Sequence, residues 1–152
     1  MKATDFFTKE QQAEILSAIL QAENKTSGEI RVHLESKMDG DVFDRAAWIF
    51  KKINMDNTAE RNSILFYLAL TNRKFAVIGD KGINAKVPEN FWERIKDILE
   101  TNFREGKFTE GLIKGIMLTG SLLKEYFPRM EDDINELPDD ISFDDMYNTG
   151  LV

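Results

Sequence analysis

The stretch Ser63-Ile-Leu-Phe-Tyr-Leu-Ala-Leu70 is almost unbroken in its apolar character. A strand with one wet face alternates polar and apolar residues, so this run predicts a strand covered on both sides. Thr71-Asn72-Arg73 offers only a short turn, and residues 74–78 are therefore expected to return antiparallel as a hairpin. Upstream, Glu29-Ile-Arg-Val-His-Leu-Glu35 alternates, with Ile30, Val32 and Leu34 on one face, which reads as a half-buried strand.

Helical spacing fills the intervals between the strands. Thr8-Lys-Glu-Gln11 has the form of a capping box ahead of Ile15, Leu16, Ile19 and Leu20. Asp41 or its neighbour can cap a helix bearing Phe43, Ala46, Ala47, Phe50 and Ile53. Pro88 suits the first turn of a helix with Phe91, Trp92, Ile95, Ile98 and Leu99. A last helix is expected over 108–126, carrying Leu112, Ile116 and Leu123, and its Gly111, Gly115 and Gly120 suggest close backbone approach to the sheet. The order α-β-α-β-β-α-α around a doubly covered strand predicts a three-layer α/β/α sandwich, a small mixed sheet with helices on both faces.

Charge divides the chain. Eight of its 27 acids and one of its 20 bases fall in residues 129–152, which leaves 19 of each in residues 1–128. The expectation is a single domain over 1–128 followed by an acidic tail over 129–152. Neither part carries the basic stripe that phosphate-backbone neutralisation needs, so no nucleic-acid partner is expected. There is no cysteine, hence no disulfide, thiol nucleophile or thiolate metal site. No apolar run has the length of a signal peptide core or membrane span, so a cytoplasmic location without a membrane segment is expected.

Conventional catalytic patterns are missing. The glycines of Gly79-Asp80-Lys81-Gly82 match neither a Walker loop nor a dinucleotide fingerprint. His33 is the single histidine, on the strand face opposite Ile30 and Val32, and reads as a surface or hydrogen-bonded residue rather than a base. Ser27, Ser36, Ser63, Ser121 and Ser142 lack a nucleophile-elbow context.

Topology supplies a more specific candidate. A strand-helix-strand crossover makes strands 29–35 and 63–70 parallel, and the hairpin brings the end of strand 74–78 beside the start of 63–70. Residues 54–62 and 79–84 should then be neighbours, collecting Glu29, Asp56, Asn57, Glu60, Asn62, Asp80 and Asn84. These are hard oxygen donors suited to Ca²⁺ or Mg²⁺ rather than zinc, and Gly79 and Gly82 would let carbonyls turn toward an ion. Arg61 and Lys81 offer the rival arrangement, acids paired to bases. A second acid group, Asp39, Asp41 and Asp44, begins like an EF-hand loop but lacks its terminal glutamate, and reads as a decorated helix N-terminus.

The segments TSGEIRVHLE, NTAERNSILFYLAL followed by RKFAVIGDKGIN, FREGKFTEGLIKGI and YFPRMEDDINELPDDI, in this order, resemble the TPM domain over about residues 5–141. That family includes thylakoid-lumen proteins linked to photosystem II repair and many bacterial proteins. The resemblance implies an α/β/α sandwich and divalent-metal binding in crossing loops, here NTAERN and GDKGIN. Without a secretion signal or following membrane segment, the chain looks like the stand-alone cytoplasmic branch. The resulting expectation is a metal-responsive binding or regulatory module with Asp80, Glu60 and Asp56 as anionic ligands. Glu29, Asn57 and Asn84 are supporting candidates. The alternatives are a weak divalent-dependent acid phosphatase, an activity ascribed to plant relatives, or an adaptor that uses its acidic tail on a protein partner not identifiable from sequence.

Overall fold

The computed structural model describes residues 2–130, 136–137 and 140–143. After a 3-10 turn at Ala3–Asp5 come helix α1 (Lys9–Glu23), strand β1 (Glu29–Glu35), α2 (Val42–Lys52) and β2 (Ser63–Ala69). They are followed by β3 (Lys74–Gly79), α3 (Lys81–Asn84), α4 (Asn90–Arg104), α5 (Phe108–Tyr126) and β4 (Ser142–Phe143). The sheet order is β3-β2-β1-β4. β1 runs parallel to β2 with Glu29 opposite Ser63, and β3 runs antiparallel to β2 with Gly79 opposite Ile64.

β2 is buried along its whole length, as its composition requires. Ile64, Phe66 and Leu68 join Ile30, Val32 and Leu34 in a core covered by α1, α4 and α5. Leu65, Tyr67 and Ala69 point the other way, into a smaller core under Ala46, Ile49 and Phe50 of α2. The molecule is thus the three-layer α/β/α sandwich, with three helices against one sheet face and one against the other.

The caps behave as their residue types dictate. The Thr8 hydroxyl accepts from the Gln11 amide at 3.0 Å while the Gln11 side chain accepts from the Thr8 amide at 2.9 Å. Asp41 caps α2 by accepting from the amides of Phe43 and Asp44. The acid group at 39–44 is therefore a helix start.

Three expectations need correction. β1 is buried on both faces, not half-buried. Its second face carries Glu29, Arg31, His33 and Glu35, and burial is tolerated because these groups find partners from α2, β2 and the C-terminal segment. The glycines of α5 meet helices more than the sheet: a Cβ at Gly120 would lie 2.7 Å from the Cα of Ala22 in α1, and one at Gly111 would meet Asn102 and Phe103 of α4. Residues 81–84, expected as a loop, form one helical turn, and α4 starts two residues after Pro88.

The acidic stretch lies largely outside the described residues. Its placed portion joins the sheet: Ser142 and Phe143 pair with His33 and Leu34 of β1, and Leu137, Ile141 and Phe143 are buried. No described helix is long and apolar enough to cross a membrane.

Candidate metal centre at the paired loops

The start of β2 and the end of β3 lie side by side, with the Asp80 amide donating to the Ser63 carbonyl at 3.0 Å. This brings residues 54–62 against residues 79–84. Contact is close because Gly82 has no side chain: its amide donates to the Arg61 carbonyl at 2.9 Å. A Cβ there would stand 2.5 Å from the Arg61 carbonyl oxygen and closer still to that of Glu60. Neither Gly79 nor Gly82 has a positive φ, so these glycines provide room rather than an unusual backbone turn. The unusual backbone belongs to Arg61, whose φ of 50° is left-handed.

That conformation serves a charge pair. The Arg61 Nε and Nη2 donate to the two carboxylate oxygens of Asp80 at 2.5 and 2.8 Å, a bidentate bond between the loops. Asp80 is only 6% exposed and also accepts from the Lys81 amide, which starts α3. Of the two bases near this acid, Arg61 therefore answers its charge by side chain and Lys81 by backbone. The hydrogen bond to Asp80 raises the Arg61 pKa, and the charges of Asp80 and Asp56 act in the same direction.

Glu60 is exposed on the same rim, its Oε2 accepting from the Ser27 hydroxyl at 3.3 Å and the Asn62 Nδ2 at 3.5 Å. Asn62 is 2% exposed, and its Oδ1 is buried without a hydrogen-bond partner among the described residues. Asn57 is exposed in the same loop. Two of the six sequence candidates are engaged elsewhere. Glu29 accepts from the Leu137 amide at 2.6 Å on the α2 side of the sheet, and Asn84 donates to the Gly79 carbonyl at 3.0 Å. Among the described residues no group of three or more His, Asp and Glu side chains stands ready to hold an ion. Ser27 was not foreseen as part of the rim; it comes from the α1–β1 connection, which no spacing rule ties to residue 60.

The donor chemistry fits a hard divalent cation. The residues of these loops offer carboxylate and amide oxygens, and the Asn62 Oδ1, a buried amide oxygen without a described partner, is the kind of group an ion satisfies.

A second polar network lies beneath α2. Glu35 accepts from Arg45 at 2.8 and 2.6 Å and from the Tyr67 hydroxyl. Burial acts to raise the Glu35 pKa, but hydrogen bonds from Arg45, His33 and Tyr67 outweigh it and hold the carboxyl at about 2. The His33 Nδ1 lies 2.7 Å from the Ser142 Oγ, and both residues are fully buried, so the pair fastens β4 rather than meeting a substrate. Arg31 reaches Asp140 at 3.1 Å.

Comparison with known proteins gives consistent results. A family model described as the TPM domain matches residues 1–121. No curated protein matches the chain. Among solved structures, protein BA42 from the psychrophilic bacterium Bizionia argentinensis is 45% identical, with a TM-score of 0.89 over 93% of this chain and 98% of that one. The N-terminal domain of a P. gingivalis protein is 23% identical, with a TM-score of 0.65 over 81% of this chain and 80% of that one. A Corynebacterium glutamicum N-terminal domain, at 12% identity and TM-score 0.65, covers 88% of this chain and 83% of its own. The last two likenesses concern the fold alone.

Proposed function

The chain belongs to the TPM domain family, and from that premise we propose that it is a binding or regulatory module responsive to Ca²⁺ or Mg²⁺ at the paired loops. The observation that carries this reading is the buried Asp80 carboxylate, shared between the two loops and neutralised by Arg61. Arg61 acts as a resident counter-charge, holding the loops together in the cation-free protein. Asp80, Glu60 and Asp56 would hold the ion as anionic ligands, with the Asn62 Oδ1 as a neutral donor and Asn57 at the margin. The bound ion would supply charge neutralisation, the role Arg61 now fills.

Because Arg61 must leave Asp80, affinity is reduced by whatever free energy that pair contributes. A response is expected at millimolar rather than nanomolar cation. Ligand at about 100 times its dissociation constant stabilises a protein by about 2.7 kcal/mol. For a chain of this length that is a rise in Tm of roughly 5–10 °C. The test is a thermal melt of metal-stripped protein with and without cation. A Tm unmoved by millimolar Ca²⁺ and Mg²⁺ contradicts the reading, and Asp80→Asn should lose most of any shift.

A further inference from the structure

The loop over 54–62 is held by a dipeptide from the far end of the chain. The Glu136 Oε2 accepts from the Ala59 amide at 3.1 Å, in the middle of the loop. The next residue, Leu137, donates its amide to the Glu29 carboxylate at 2.6 Å. The Glu29 amide in turn donates to the Asn62 carbonyl at 3.2 Å, where the loop ends. The Leu137 side chain is buried in the smaller core that also holds Ile53 and Met55, where the loop begins. Two consecutive residues of the C-terminal segment thus brace the start, middle and end of one loop.

The braced positions are interleaved with the oxygen donors of the cation reading. Ala59 adjoins Glu60, and Asn62 carries the buried Oδ1 that has no described partner. The Asn62 amide is fixed as well, donating to the Thr58 hydroxyl at 3.3 Å. A loop whose backbone is already ordered gives up less conformational entropy when an ion gathers its side chains. Coupling between two binding events is reciprocal, so an ion favoured by the docked segment must in turn favour docking.

Resting on the cation reading above, we propose that docking of the C-terminal segment and cation binding at the paired loops reinforce one another. Glu136 is the positioning residue that joins them. What the cation regulates is then the attachment of this segment, which beyond Leu137 is held by Arg31 on Asp140 and by the short pairing of β4 with β1. Without the segment the loop still carries its donors, so binding is weakened rather than abolished.

The test is calorimetric titration of the full-length, metal-stripped chain with Ca²⁺ and with Mg²⁺, alongside amide exchange read residue by residue. Glu136 is exposed, so Glu136→Ala removes the bond to Ala59 without opening a cavity in the core. It should weaken cation binding about fivefold. Glu136→Gln keeps an oxygen for the Ala59 amide and loses only the charge, and should stay within about twofold of wild type. Saturating cation should slow exchange of the Leu137 amide about fivefold in wild type, and by less in Glu136→Ala. A wild type that binds neither cation saturably overturns the cation reading, and the coupling with it. Binding that Glu136→Ala leaves unchanged, or that both variants weaken equally, overturns the coupling while the cation reading stands. So does Leu137 exchange that bound cation does not alter.

Discussion

Replacing Gly82 with alanine measures how closely the two loops are locked. The substitution has two opposed effects. In a helix interior alanine is favoured over glycine by up to about 1 kcal/mol, and Gly82 lies within the single turn of α3. Against this, the new Cβ would stand 2.5 Å from the Arg61 carbonyl oxygen and 3.0 Å from its carbon. The Glu60 carbonyl oxygen would lie closer still; carbon-to-oxygen contacts normally begin near 3.3 Å, so a gap of more than about 1 Å must open. The obstructing atoms are backbone, and no rotamer change relieves them. The loop that would have to move already holds Arg61 at a left-handed φ and is tied to Asp80.

Overpacking of this kind costs about 1–3 kcal/mol, and the upper part of that range applies where backbone must shift. After the helix-propensity gain, the net loss is about 2 kcal/mol, a fall in Tm of roughly 4–8 °C. A thermal melt monitored by circular dichroism reads it directly. Amide shifts for residues 58–62 should move more than those of α5. A variant as stable as wild type, with unshifted loop resonances, would refute the close approach on which the site is built.

Other outcomes follow from the same geometry. Glu35 titrates at about 2 in the folded protein against 4.5 for a free carboxyl, so its contribution is present above about pH 4.5 and is lost as pH falls toward 2. Glu35→Gln should therefore be less stable than wild type at neutral pH. The two urea midpoints should converge as pH drops through that window; parallel curves would contradict the assignment. Deleting residues 129–152 removes the buried Leu137, Ile141 and Phe143 and the partners of Glu29, Arg31 and His33. It should lower Tm by well over 5 °C, since each large apolar side chain lost from a core costs about 2–5 kcal/mol. Cation binding at the paired loops should persist in that truncated chain below its melting temperature.

Much of the architecture was legible because its signals are local. The unbroken apolar run of β2, the three-residue turn and the Thr8–Gln11 capping box each specify structure within a few residues. Together they require the parallel and antiparallel pairings that the sheet has. The loop juxtaposition followed from topology alone, since a crossover and a hairpin leave no other place for Asp80. What could not be read is long-range. The polar face of β1 looked wet because Glu29, Arg31, His33 and Glu35 are polar. Their partners come from Arg45, Tyr67 and residues 137–142, at separations no periodicity reports. Nor does spacing decide whether Asp80 faces Arg61 or stands free. The structure pairs the two across the loops, with Arg61 at a left-handed φ that no residue spacing announces.

The most direct test of the central claim is calorimetric titration of metal-stripped protein with Ca²⁺ and Mg²⁺, comparing wild type with Arg61→Gln. Removing the resident counter-charge leaves the Asp80 carboxylate for the ion. The variant should therefore bind at least about tenfold more tightly, a gain of ~1.4 kcal/mol, while Asp80→Asn loses saturable heat. Absence of saturable binding in both wild type and Arg61→Gln would contradict the cation-responsive reading. Wild-type binding that Arg61→Gln leaves unchanged would contradict the role given to Arg61.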